Sequence, residues 1–378
     1  MNEKKPHILL IPAWYAPVNE SHLGSFVRDQ ALELARAGYK TGVLHVSPKA
    51  EKEQTIENTS GSFTEIIAST KKTRFKLWNQ LSIFFKYKKL FKDYCARFGA
   101  PEILHSHSLA AIPYAYNLAR KFHIPLIHTE HIGALMLSNI PLSNSKLKWL
   151  KSPEVVIGVS PALCDAIGKY TTQSPVFIPN MVYRAFFEST LVQPIPQPME
   201  TFRLICVSDL DKNKGQHELL AALKILSGQL NCHLTLVGDG PERSQLESFV
   251  VNNHLTTQVS FSGKQNRANI IKLLLNSHCY CTATRFESFG LHIAEALAVG
   301  LPVIASGEYG PAIYLNDQNS LPISPSDPES IAAAILKMEQ KLNEFSPLQI
   351  RKSISQISHP DQVIPQITTL YNQISKGK

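Results

Sequence analysis

Residues Phe202–Pro241 read FRLICVSDLDKNKGQHELLAALKILSGQLNCHLTLVGDGP. Phe202–Val207 is a short apolar run of strand length. Gly215–Leu226 repeats its apolar residues at helical spacing, and His233–Val237 is a second short run that closes on the turn Gly238-Asp239-Gly240-Pro241. A strand, a helix and a strand in such close succession are the signature of a βαβ unit with parallel strands.

The alternation extends in both directions. Downstream, a helix to about Asn253 precedes strand Val259–Phe261, a helix ending near Leu275, strand Cys279–Thr282, helix Leu291–Val299 and strand Pro302–Ala305. Upstream, strand His7–Ile11 leads to a helix over Ser25–Ala37, stopped by Gly38, and to strand Thr41–Val46. Strand Ile103–His107, a helix through Asn117, strands Pro125–Thr129 and Val155–Val159, helix Pro161–Lys169 and strand Val176–Ile178 complete that half. Two doubly wound, Rossmann-like α/β domains are expected, over 1–188 and 201–359. The linker over 189–200 carries Pro194, Pro196 and Pro198. The tail, 360–378, reads as a helix over Pro360–Ile374 that crosses back onto the first domain. Two such lobes predict a cleft, with ligands outside the carboxyl ends of the strands.

Composition bounds the function. The chain has 378 residues, 44% hydrophobic and 18% charged, enough apolar material for full cores; a disordered chain or a disulfide-stapled miniprotein is excluded. The formal charge of +8 divides into +9 over residues 1–190 and −1 over the remainder, unlike a uniformly basic nucleic-acid binder. Cys95, Cys164, Cys206, Cys232, Cys279 and Cys281 form no CxxC pair and read as buried thiols, neither a disulfide frame nor a zinc site. Met1–Pro6 runs directly into a strand, without the pattern of a signal peptide, and no apolar stretch approaches the ~20 residues that span a bilayer. A cytosolic protein is expected, touching a membrane at most from the side.

The chemistry concentrates in Arg285–Leu297, RFESFGLHIAEAL, which follows a strand and opens a helix. Gly290 lets backbone approach a ligand, and the N–H groups of Gly290, Leu291 and His292 would point at an anion. Glu287 and Glu295 are eight residues apart. If the interval were helical they would stand ~12 Å apart, wider than the ~5–9.5 Å of paired glycosidase carboxylates. Separate hydroxyl-binding tasks suit them better than one acid–base pair.

In this order, several stretches resemble the retaining GT-B glycosyltransferases, above all family 4 with its E-x7-E signature. Val207–Gly215 is similar to G-R-L-x-x-x-K-G, Leu236–Glu242 to V-G-[DE]-G-P, and Val259–Gly263 to V-x-F-x-G. Gly158-Val159-Ser160 and Ile178-Pro179-Asn180 match shorter tags. The resemblance implies a GT-B fold and transfer of a sugar from a UDP- or GDP-sugar donor to a hydroxyl, with retention. Lys214 and the Gly290–His292 amides would stabilise the leaving diphosphate. Ser208, Phe289, Gly290, Leu291 and His292 would bind the donor, Glu287 its sugar, Glu295 the ribose, and Lys264 would lie near the base. Gly24, in Ser21–Arg28, and His131, in Thr129-Glu130-His131, would complete the site from the acceptor side, with His107 of Ile103–His107 as a further sugar contact.

The pattern departs at Asp209, which stands where the family has an arginine, and at Ala312, near which it usually has a glutamate. Asp209-Leu210-Asp211 is also a D-x-D, but it falls where GT-B enzymes bind phosphate, so neither a metal nor another cofactor is expected. A sugar-nucleotide 2-epimerase and a degenerate binding subunit are the alternatives.

Lys71–Arg97 explains the charge asymmetry. Lys71, Lys72, Arg74, Lys76, Lys86, Lys88, Lys89, Lys92 and Arg97 interleave with Leu77, Trp78, Leu81, Phe84, Phe85 and Phe91 at three- and four-residue steps, and Phe98 follows. Such a basic amphipathic helix suits an anionic membrane surface contacted through 71–98; the resemblance to membrane-associated members of the family adds a lipid-linked or glycan acceptor.

Overall fold

In the computed structural model, which describes residues 5–15, 24–49, 54–71, 73–137, 144–191 and 201–376, the chain divides into two compact units. One comprises Met1–Met181 with Pro360–Lys378, the other Val182–His359. Each is built on one sheet.

The first sheet contains β1 (Ile8–Pro12), β2 (Thr41–Lys49), β3 (Thr55–Ser60), β4 (Phe63–Lys71), β5 (Ile103–His107), β6 (Leu126–Glu130), β7 (Val155–Gly158) and β8 (Val176–Phe177). Its order is β3-β4-β2-β1-β5-β6-β7-β8. All neighbours run parallel except β3, which is antiparallel to β4. Beside β1 the order reverses direction, so the loops leaving β1 and β5 flank a topological switch point. Every residue of β1 is buried, as expected for a central strand covered on both faces.

The β3–β4 pair is absent from the sequence reading. β3, TIENTS, is exposed throughout and shows no apolar alternation, while buried β4 carries Thr64, Glu65, Ser69 and Thr70. Glu65 is tolerated there because it is fully partnered. It accepts from the Tyr15 hydroxyl at 2.7 Å, from the Arg28 guanidinium and from the Asn58 amide at 2.8 Å.

The basic helix spans Lys76–Phe98, and its apolar residues divide between two faces. Ile83, Tyr87, Leu90, Phe91 and Tyr94 are buried, with the Tyr87 hydroxyl accepting from the Val46 N–H of β2 at 3.1 Å. Phe75, Leu77, Trp78, Leu81 and Phe85 are exposed, Leu77 and Trp78 at 66%. Lys72 lies outside the described residues.

The second sheet contains β9 (Phe202–Val207), β10 (Cys232–Val237), β11 (Val259–Gly263), β12 (Cys279–Cys281), β13 (Val303–Ala305) and β14 (Ser320–Pro322), in the order β11-β10-β9-β12-β13-β14. All its pairings are parallel. β9 and β12 are neighbours although well separated in sequence, which makes their carboxyl ends the switch point of this sheet. Leu219, Leu220, Leu223 and Leu226 of helix Gln216–Leu226 pack over it with Ile331, Ile335 and Met338 of helix Pro328–Lys341.

Val182–Glu188, expected in the first domain, belongs to the second unit: the Val182 N–H donates to the Ser358 carbonyl at 3.0 Å. Residues 192–200 of the expected linker lie outside the described residues. Helix Pro360–Lys376 packs Val363, Ile364, Ile367 and Tyr371 into the first unit's core. Tyr371 is fully buried, and its hydroxyl lies 2.6 Å from Nδ1 of His105 in β5. Truncation of Tyr371 to Ala should destabilise the first unit by ~3–5 kcal/mol, the usual cost of emptying an aromatic site, and Tyr371→Phe by ~1 kcal/mol for the hydrogen bond alone. Urea unfolding of both variants checks this; equal losses would mean that the ring contributes nothing.

Candidate active site

In the second unit the loops leaving β9 and β12 meet. The β9 loop passes through Asp211, whose carboxylate accepts from the Asn213 N–H at 2.8 Å and caps a single turn over Lys212–Lys214. That turn presents Lys214, whose Nζ lies 2.5 Å from Glu287 Oε1 on the β12 loop. The same carboxylate oxygen lies 2.9 Å from His292 Nε2, and His292 Nδ1 lies 2.6 Å from the Tyr280 hydroxyl of β12. Burial alone would raise the Glu287 carboxyl. Lys214 and His292 outweigh it and hold the group at about 2, while Glu287 in turn raises Lys214 against its own burial.

Glu287 stands on a loop rather than in a helix, so the helical spacing considered for Glu287 and Glu295 does not apply. The helix begins at Leu291 behind Gly290, which has φ 78° and to which the Ile293 and Ala294 N–H groups donate. The N–H groups of Gly290, Leu291 and His292 precede the first intrahelical bond and face outward from the helix start. A Cβ at Gly290 would sit 2.8 Å from the Tyr314 hydroxyl. That hydroxyl braces the turn from 2.6 Å off the Phe289 carbonyl and 2.9 Å off that of Gly290. Beside the turn, Thr282, Thr284, Glu287, Ser306 and Glu308 line a small pocket.

The other expected donor residues fall as follows. Glu295 is half-buried on the same helix. Ser208 accepts from the buried Gln216 amide at 2.9 Å, and Lys264 is exposed just beyond β11. Phe289 is buried against Tyr314, so only its backbone is open to a ligand. Asp209 is exposed. Arg285, the cation at the start of the β12 loop, is engaged by Glu218 at 2.5 Å and by the Lys212 carbonyl. Among the described residues, no group of three or more His, Cys, Asp or Glu side chains is placed to hold a metal ion.

In the first unit, Gly24 precedes helix Ser25–Arg36 with φ 71°, where a Cβ would collide with the Trp14 carbonyl. Ser21–Leu23 lie outside the described residues. His131 follows β6, its ring tilted against Phe26 at 4.5 Å, with Nε2 3.1 Å from His107 Nδ1. His107 is buried, with its Nδ1 against His131. The buried Glu130 carboxylate accepts from the His131 and Ile132 N–H groups at 2.7 and 2.9 Å and fixes the turn. Tyr280, Tyr314 and Glu130 were missed by the sequence reading; a polar residue closing an apolar strand is the signal that marks Glu130.

Two family models divide the chain: that of Glycosyltransferase Family 4 matches residues 23–185, and that of Glycosyl transferases group 1 matches residues 188–348. The chain belongs to the GT-B glycosyltransferases. This enzyme is 25% identical to the glycogen synthase of Mycobacterium tuberculosis over 359 residues, spanning 87% of this chain and 84% of that one. Among solved structures it resembles sucrose-phosphate synthase from Thermosynechococcus elongatus, with a TM-score of 0.78 at 20% identity over 98% of this chain and 100% of that one. It also resembles Anabaena HepE in complex with UDP and glucose, with a TM-score of 0.74 at 16% identity over 97% and 99%.

His105, His107 and His131 give this glycosyltransferase an acid-sensitive first unit. Burial, reinforced by neighbouring histidines, lowers His105 and His107 well below the ordinary imidazole value; burial lowers His131 to about 4 despite the upward pull of Glu130. The unfolded chain therefore binds more protons than the folded one below about pH 6.5. Stability should be complete above that value and fall as the pH drops toward about 4. Urea unfolding followed at the β5 and β6 amides checks this, and an unchanged midpoint between about pH 7.5 and 5 would refute it.

Proposed function

We propose that the enzyme moves a sugar from a UDP- or GDP-sugar to a hydroxyl acceptor with retention, without a metal or other cofactor. One observation carries the reading: Lys214 and Glu287, far apart in sequence, meet at 2.5 Å beside the open amides of the Gly290 turn. An ammonium next to helix-start N–H groups is suited to the charge that develops on a departing diphosphate. Glu287 receives the donor sugar's hydroxyls, Glu295 the ribose and Lys264 the base. Ser208 and the backbone of Phe289–His292 line the donor. In the first unit, His131 and Gly24 are the acceptor-side residues. Use of the Asp211 carboxylate as a turn cap supports the metal-free reading.

Glu287→Ala should abolish transfer, a loss of at least ~100-fold, while the melting temperature stays near that of the wild type. Activity close to wild type in a nucleotide-sugar transfer assay would remove Glu287 from the site.

The split helix Lys76–Phe98 supports a peripheral site of action on the inner face of a membrane and an acceptor that is lipid-linked or part of a cell-envelope glycan. Its exposed Phe75, Leu77, Trp78 and Phe85 stand beside exposed Lys71, Arg74 and Lys89, a combination that suits insertion into anionic lipid. No described helix is long and apolar enough to cross a membrane. The enzyme should sediment with phosphatidylglycerol vesicles and blue-shift its tryptophan emission there. Reversing Lys88, Lys89 and Lys92 to Glu should release it. Sedimentation that is the same with neutral phosphatidylcholine, or absent with both, would refute the membrane reading.

A further inference from the structure

A nucleoside diphosphate carries more negative charge than one lysine neutralises, and the β9 loop carries an exposed carboxylate at Asp209 beside its other lysine, the exposed Lys212. Arg285 is engaged by Glu218 and the Lys212 carbonyl. His292, however, is aimed at the same point as Lys214: Glu287 Oε1 lies 2.9 Å from His292 Nε2 and 2.5 Å from Lys214 Nζ. Two donors sharing one oxygen are close enough together to grip neighbouring oxygens of a diphosphate.

The far side of the ring shows how His292 can change charge. Its Nδ1 lies 2.6 Å from the Tyr280 hydroxyl, and that hydroxyl lies 3.1 Å from the Val207 carbonyl oxygen and 3.4 Å from the Val207 N–H. With a neutral ring, Tyr280 donates to Nδ1, accepts from the Val207 N–H, and leaves Nε2–H to donate to Glu287. With an imidazolium, Nδ1–H donates to the Tyr280 oxygen, and the Tyr280 proton turns to the Val207 carbonyl. Both states keep every ring nitrogen hydrogen-bonded, so proton uptake leaves no buried group unsatisfied.

We propose that His292 takes a proton from solvent when a diphosphate enters and serves, as an imidazolium, as the second cation of the donor site, with Tyr280 as the adaptor for its two charge states. The proposal rests on the donor-site reading above. The groups around the ring are Glu287 on the β12 loop, Tyr280 on β12 with Cys206 of β9 beside it, Lys214 and Tyr314 across Glu287, and Glu295 on its own helix. The carboxylates favour the cation. Lys214 and the positive helix end oppose it until an anion arrives.

Calorimetric titration of the full-length enzyme with UDP and with GDP, in buffers of different ionisation enthalpy, tests this. His292→Gln should weaken nucleoside-diphosphate binding about tenfold near pH 6.5, as expected for loss of a charge-assisted hydrogen bond. The gap should narrow as the pH rises, and the variant should take up fewer protons than the wild type. His292→Lys should restore affinity with a flatter pH dependence. Tyr280→Phe should fall between wild type and His292→Gln, because both charge states lose a partner at Nδ1 and the imidazolium loses the stronger, charge-assisted one. Binding of a nucleotide with equal affinity, pH dependence and proton uptake in wild type and His292→Gln overturns the proposal alone. Failure of the wild type to bind either nucleotide overturns the donor-site reading and the proposal with it.

Discussion

The Glu287 carboxylate is the contact that holds the second unit's candidate site together. It is one half-buried acid with two donors on a single oxygen, and both donors would otherwise be costly where they stand. A half-buried ammonium needs a counter-charge, and an imidazole wedged between a carboxylate and a phenol needs a defined tautomer. The pairing joins loops from β9 and β12, which the sheet order makes neighbours. The site is therefore a product of topology: strands remote in sequence lie side by side, and their carboxyl ends deliver Lys214 and Glu287 to one place.

The turn at Gly290 shows how rigid backbone and open donors coexist. The glycine takes a left-handed conformation that a Cβ would strain, and Tyr314 fastens the carbonyls on the inner side. The amides on the outer side remain unspent at the helix start. Fixed dipoles of this kind need no reorganisation when charge arrives, which is the usual source of their effect on an anion.

Much of this was legible in the sequence. β5 and β9 begin and end at the residues expected, because short apolar runs bounded by polar turns leave little choice. The β3–β4 hairpin was not legible: one strand has no buried face, and the other hides a carboxylate whose partners come from β1's loop, the first helix and β3. Helix Pro328–Lys341 also went unassigned, although Asp327 accepts from the Glu329 and Ser330 N–H groups ahead of a proline at the first helical position, a readable start signal. Within the site, Lys214 and Glu287 were named from a motif, but their direct pairing was not. The roles of Tyr280 and Tyr314 depend on contacts across the sheet that no local spacing reveals. The aromatic stripe of 71–98 was read as one surface; only the fold decides which of its rings are already used by β2 and β4.

The return of the chain's last helix has a consequence for how the protein is made. Strands β1 to β8 emerge from the ribosome ahead of the second unit, and Val363, Ile364, Ile367 and Tyr371, which complete their core, emerge behind it. The second unit is an uninterrupted segment, Val182–His359, and holds all the residues it needs before that helix is made. The unit begun earlier is thus finished later, and until the helix emerges its apolar surface beside β5 is a natural target for chaperones.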